Sequence, residues 1–288
     1  MFRRLLFPTD FSEHARRSID CISSFPSIGE IILLHVTWGP LGRAASMKRE
    51  QEEYARQQLR KEQDRLFARG LHVSIVISDG SSGPVHETIG EVARQKNVDL
   101  IVMNPGKGGL ITGHHLGSVT HGVIHHASVS VYILPVPVIE TLTGGTYERH
   151  CPMIFSRVLF ATDLSPLSLA VLREFARAPG IGEIRLLHVI PYGEEHSALD
   201  ERVSQAFILF DQFCAELKKE GIAATGDVLT GDPLETIIRF GGEMDASVVC
   251  VVPSGKGRLQ EMVSGSITCS LAARNTRPTL LLRQTGHS

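Results

Sequence analysis

Apolar residues fall along this chain in short unbroken runs, and between the runs the period lengthens to that of amphipathic helices. Arg4 to Pro8, Ile31 to Val36, Val73 to Ile77, Leu100 to Met103 and Ser130 to Leu134 read as strands. Ser12 to Ser23, Met47 to Arg69, Pro84 to Lys96 and Ser118 to His126 read as the helices between them. Asp10 or Ser12 caps the first helix, and Gly70 closes the second. Strands that are apolar at successive positions imply a parallel sheet covered on both faces, so the fold class is α/β. The order then returns as Arg157 to Ala161, Leu167 to Ala178, Glu183 to Val189, Leu199 to Glu220, Thr225 to Leu229, Pro233 to Gly242, Ser247 to Val252, Ser266 to Arg274 and Thr279 to Leu282.

The return is a repeat of residues as well as of pattern. Phe7-Pro8-Thr9-Asp10-Phe11-Ser12 matches Phe160-Ala161-Thr162-Asp163-Leu164-Ser165, displaced by 153 (163 − 10), and Leu33-Leu34-His35-Val36 matches Leu186-Leu187-His188-Val189. Gly117-Ser118 matches Gly265-Ser266, displaced by 148 (265 − 117). The chain divides into a first domain over 1–137, a linker over 138–155 with Pro, Gly and Thr, and a second domain over 156–288. Tandem copies of one fold pair like a dimer, so an intramolecular pseudo-dimer is expected, with a further homodimer left open.

In each half the fourth strand runs into a glycine loop, and a Gly-Ser pair then opens a helix. The first loop holds Gly106, Lys107 and Gly108 before Gly117, Ser118, Val119 and Thr120; the second holds Gly255 and Lys256 before Gly265, Ser266, Ile267 and Thr268. Glycine lets backbone N–H groups approach an anion, Ser and Thr add hydroxyl donors, and the helix start supplies positive dipole. An ordinary βα turn with an N-cap would use the same residues.

Composition narrows the classes. The chain has 288 residues, 42% hydrophobic and 21% charged, with a net charge of −2, which gives no broad pull toward nucleic acid or an anionic membrane. No apolar run reaches the length of a membrane span, and Asp10 interrupts the first apolar stretch too early for a signal peptide, so a cytoplasmic protein is expected. The five cysteines show no CxxC spacing and read as reduced and structural.

The repeated Thr-Asp-x-Ser, the paired Leu-Leu-His-Val, Gly231-Asp232-Pro233 and the terminal Gly-Ser-(Val/Ile)-Thr together resemble the universal stress protein (UspA-like) family in tandem form. The resemblance implies two five-stranded parallel Rossmann-like sandwiches of strand order 3-2-1-4-5, paired through their last strands. It also implies, in nucleotide-binding members, ATP or AMP held by a Gly-x2-Gly-x9-Gly-(Ser/Thr) loop. Asp10 and Asp163 would sit on the adenosine side, and backbone of Val36, Thr37, Val189 and Ile190 against adenine. Mg²⁺ or Mn²⁺ would accompany the phosphates. The motif is degenerate here: Asn104 and Lys107 stand at the leading glycines of the first half, and Val252 at the first of the second, which keeps Gly255-x9-Gly265-Ser266. Nucleotide sensing in the second half is the expectation. The alternative is an interaction module whose pairing surface is its function.

His121 and His125 lie four apart on one helix face, the spacing of two metal ligands, but no acidic residue lies between them and the second half has no equivalent. They read as solvent-facing or phosphate-near histidines, and no structural metal is expected. His35 and His188 end equivalent strands without a nucleophile at suitable spacing, so no catalytic residue is assigned and any ATP turnover would be weak.

Overall fold

Successive residues of a strand point to opposite faces, and Leu5, Leu6 and Phe7 of the first strand are all fully buried, so both faces are covered. The computed structural model describes residues 1–37, 45–81, 83–104, 116–135, 153–192, 196–253 and 266–284. In the first half β1 (Arg4–Pro8), β2 (Glu30–Thr37), β3 (Val73–Asp79), β4 (Leu100–Met103) and β5 (Ser130–Ile133) alternate with α1 (Glu13–Ile22), α2 (Ala45–Phe67), α3 (Val85–Gln95) and α4 (Ser118–His126). In the second, β6 (Arg157–Ala161), β7 (Glu183–Ile190), β8 (Ala223–Thr230), β9 (Val248–Val251) and β10 (Thr279–Leu281) alternate with α5 (Pro166–Ala176), α6 (His196–Lys219), α7 (Pro233–Glu243) and α8 (Ser266–Arg274).

The strands form one ten-stranded sheet in the order β3-β2-β1-β4-β5-β10-β9-β6-β7-β8. Each half has the 3-2-1-4-5 order, and every pair within a half is parallel. The halves meet through the antiparallel pair β5 and β10, in which Tyr132 faces Leu280, Val131 faces Leu281 and Ile133 faces Thr279. Tyr132 and Leu280 are displaced by 148 (280 − 132), the displacement of the repeat, so each faces its own equivalent and a pseudo-twofold axis passes between them. An isologous contact has this form. It also covers what would be the open last edge of each sheet.

On one face α1, α2, α5 and α6 bury a core that runs unbroken from Phe7 and Val102 to Phe160 and Cys250. Tyr132, Phe25, Phe155 and Phe175 join its two ends in edge-to-face contacts, with ring centroids at 4.9, 5.7 and 5.4 Å in that order. Ile154 and Phe155 close the segment read as the linker, and both are buried in this core; residues 138–152 of that segment lie outside the described residues. On the other face α3 and α4 pack over the first half, α7 and α8 over the second. Both α2 and α6 present charged residues outward, and both also expose large apolar side chains, Met47, Tyr54 and Phe67 on α2 and Phe207, Ile208 and Leu209 on α6. Among the described residues, no helix is long and apolar enough to cross a membrane.

One expectation is corrected. Cys21, on the buried side of α1, is disulfide-bonded, whereas Cys214, Cys250 and Cys269 are free. A disulfide depends on the approach of two Cα atoms in the folded chain, which residue spacing does not reveal.

Because the sheet and one core run through both halves, Leu280→Ala should lower the unfolding free energy by about 2–5 kcal/mol, the usual range for a buried leucine. The loss should come in a single transition shared by both halves. Urea titration followed by circular dichroism reads this, and a loss under about 1 kcal/mol would mean the junction contributes little.

Candidate functional site

In each half the chain winds outward through strands one, two and three, then returns to lay strands four and five on the other side. The order reverses beside the first strand. Ligands of open α/β sheets bind in the crevice outside the carboxyl ends of the strands at such a point. Here the crevice is deepened by register: Pro8 pairs with Leu34, so His35 to Thr37 run on past the end of β1, and Ala161 pairs with Leu187, so His188 to Ile190 run on past β6.

The Thr-Asp-x-Ser turn fills this notch, and each of its polar residues has a fixed task. Thr9 N–H donates to the Leu34 carbonyl at 2.8 Å, and Thr162 N–H to that of Leu187 at 2.9 Å, which continues each ladder by one bond. The threonine Oγ1 then accepts from the N–H two residues on, Phe11 at 3.1 Å and Leu164 at 3.0 Å. The aspartate Oδ1 does the same for Ser12 and Ser165, both at 3.0 Å. The serine Oγ accepts from Ala15 or Ser168 at 3.2 Å and is the helix N-cap. Ser12 therefore caps α1, and Asp10 and Asp163 form Asx turns one step upstream.

Between Asp and Ser the chain takes a left-handed step, φ 61° at Phe11 and 59° at Leu164. That region is a genuine outlier for bulky residues, and holding one there costs on the order of 1–3 kcal/mol. The same departure occurs in both copies, at the same place, held by the same three hydrogen bonds.

The repeated histidine braces the turn from β2 and β7. Nδ1 lies 2.9 Å from the Thr9 carbonyl in His35 and 2.9 Å from the Thr162 carbonyl in His188. A carbonyl only accepts, so each ring donates from Nδ1. Phe11 stacks on His35 with centroids 4.3 Å apart. His188 is buried, and that burial holds its imidazole below the ordinary histidine range despite the Thr162 hydrogen bond, with the Arg202 charge adding to the effect. Each ring thus ties the second strand of its half to the turn that follows the first.

Those expected residues that the structure describes lie at one end of the sheet in each half. Val36 and Thr37 end β2, Val189 and Ile190 end β7, and the Thr37 and Ile190 carbonyls accept from Gly80 at 2.9 Å and Gly231 at 3.0 Å. Gly231 has φ +154°, and a Cβ there would stand 2.8 Å from Thr236 Oγ1, so the β8–α7 turn requires glycine. Gly117 is the N-cap of α4 without a side-chain cap; Ser118, Val119 and Thr120 form its first turn, and such N–H groups have no partner inside a helix. Ser266, Ile267 and Thr268 form the first turn of α8.

Two of the three degenerate positions, Asn104 and Val252, are engaged elsewhere. Asn104 Oδ1 accepts from the Ser18 hydroxyl at 2.8 Å, and its carbonyl accepts from Thr120 Oγ1 at 2.7 Å, so it ties β4 to both α1 and α4. Val252 is buried in the core with Phe160 and Leu186. Gly106, Lys107, Gly108, Gly255, Lys256 and Gly265 lie outside the described residues. What sequence reasoning did not anticipate is the part played by Thr9 and Thr162, or the strain at Phe11 and Leu164. The signal was there in the doubled Thr-Asp-x-Ser, whose spacing suits three successive side-chain-to-backbone bonds.

Residues 1–135 and 155–283 each match the model of the Universal stress protein family. The chain is 27% identical over 157 residues to a universal stress protein of Methanocaldococcus jannaschii, covering 46% of this chain and 95% of that one. Among solved structures, a universal stress protein of Archaeoglobus fulgidus aligns with a TM-score of 0.72 at 22% identity, over 99% of this chain and 97% of its own. A putative universal stress protein of Pseudomonas aeruginosa aligns with a TM-score of 0.64 at 15% identity, over 98% and 93%. At those identities the two structures speak to the fold alone. The family model matches both halves across nearly their whole length, and the chain belongs to the universal stress protein family as a tandem two-domain member.

Proposed function

We propose that this protein binds an adenine nucleotide, ATP or AMP, at the switch point of its second half and works as a stress-responsive sensor. The observation that carries this reading is the strained Thr-Asp-x-Ser turn, held twice in a crevice where α/β sheets take ligands. The second half is favoured because Asn104 is committed to Ser18 and Thr120 in the first, while Gly255-x9-Gly265-Ser266 keeps its spacing. Asp163 faces the ribose side, backbone at Val189 and Ile190 faces the base, and the first N–H groups of α8 hold phosphate. Lys256 adds a cation, and Mg²⁺ or Mn²⁺ binds through phosphate oxygens. With no general base assigned, the nucleotide is a ligand rather than a substrate. The consequence of binding follows from α8, which opens at this site and packs against α4 of the other half. Occupancy there bears directly on how the halves pair.

Small molecules released by denaturing freshly purified protein should include adenine nucleotide near one per chain. Added ATP should give heat in calorimetry, and Asp163→Ala should weaken binding about 10- to 100-fold, the range of a lost hydrogen bond to a charged group. Asp10→Ala should change it little. No released nucleotide and no heat would move the assignment to an interaction module working through domain pairing.

His188 supplies a second prediction. Its folded pKa lies below the unfolded value near 6.5, so the unfolded chain binds the proton more readily and the neutral ring stabilises the fold above that pH. Stability should fall as pH drops below about 6.5 and continue to fall toward the folded pKa. In His188→Asn, which keeps a donor for Thr162, that part of the loss should vanish when urea midpoints are compared at pH 7.5 and 5.5. Equal slopes in the two proteins would remove His188 as the cause.

A further inference from the structure

The repeat places His121 and Cys269 at equivalent positions, displaced by 148 (269 − 121), as Gly117 is from Gly265. Residues near a twofold axis lie opposite their own equivalents. Helix α4 of one half therefore brings His121 to face Cys269 on α8 of the other, beside the axis that pairs Tyr132 with Leu280. One turn along α4, His125 follows on the same face, its ring 4.5 Å from that of His121. The ligand atoms of His121, His125 and Cys269 all lie within 4.8 Å of one another, and Cys269 Sγ is 3.5 Å from His125 Nε2.

We propose that His121, His125 and Cys269 form a Zn²⁺ site that joins the two halves across the pseudo-twofold axis. Tetrahedral zinc with bonds of about 2.3 Å to sulfur and about 2.0–2.1 Å to nitrogen separates those two ligand atoms by roughly 3.6 Å. The Cys269 to His125 edge already has that length. The remaining edges are no longer than 4.8 Å and close by at most about 1.5 Å to reach tetrahedral zinc, which is within reach of side-chain rotation. Two imidazoles and a thiolate select a borderline transition metal over Mg²⁺ or Ca²⁺, and three protein ligands leave a fourth position for water. Both histidines are exposed, so the metal has an entry path, while Cys269 is the buried floor.

The surrounding groups set the terms of binding. Burial keeps the His125 imidazole below the ordinary range, with the charges of His121, His126 and Arg283 adding to it. Burial pushes the Cys269 thiol up to about 11, and on binding the thiol proton leaves as the sulfur–metal bond forms. Arg283 reaches across from the second half to donate from Nη2 to the Ile124 carbonyl at 2.8 Å, which fixes a positive charge behind the site. His126 is not part of the set: its Nδ1 donates to the Gly122 carbonyl at 2.9 Å, and its ring stacks on His86.

The test uses the full chain with any affinity tag removed, titrated with Zn²⁺ against a chromophoric chelator and separately with Co²⁺. One ion per chain is expected, with a thiolate-to-cobalt charge-transfer band and the strong visible absorption of four-coordinate cobalt. Cys269→Ala should abolish the charge-transfer band. His121→Ala, at an exposed position that folding does not depend on, should lower Zn²⁺ affinity by more than about 100-fold, beyond the 10- to 100-fold typical of an outer-shell partner. His126→Ala should retain both band and affinity. Zn²⁺ should raise the melting temperature of the parent and not of the first two variants. No Zn²⁺ binding, a cobalt spectrum without the thiolate band, or affinity unchanged in His121→Ala would each overturn the site, and none of these outcomes bears on the nucleotide reading.

Discussion

The antiparallel pairing of β5 with β10 is the constraint on which the rest of this molecule depends. A parallel five-stranded sheet leaves its last strand with a row of unsatisfied N–H and C=O groups, and each half meets that need with the other. Three paired positions then dictate the relation of everything else. The axis between Tyr132 and Leu280 sets α4 against α8, places the two crevices at opposite ends of one sheet, and lets a single aromatic core form beneath it. Phe155 is drawn into that core from the segment that joins the halves.

Much of this was legible in the sequence because it rests on local rules. Runs such as Leu5-Leu6-Phe7 announce a strand buried on both sides, and the displacement of the repeat announces two copies. The identical Thr-Asp-x-Ser segments announce a common turn, though composition left open whether aspartate or serine capped the helix. Spacing decides that only when the hydrogen bonds are traced: Ser12 reaches the N–H three residues on, while Asp10 reaches the one two residues on.

What escaped the sequence was whatever depends on approach between distant segments. The disulfide at Cys21 is one case, since no local pattern marks which thiols meet. The service of Asn104 is another: it looks like a lost glycine in a phosphate motif, yet its side chain and carbonyl fasten three elements together. His121 and His125 lacked a third ligand in the first half because that ligand, Cys269, belongs to the second.

The meeting of His121 with Cys269 shows what joining two copies in one chain makes available. In a symmetric homodimer a residue at the axis faces its own copy, and every change appears twice. Once a covalent link makes the two copies distinct, each side of the contact can drift on its own, and imidazole can come to face thiol. Duplication followed by fusion thus does more than double a fold. It releases the chemistry at the axis from symmetry.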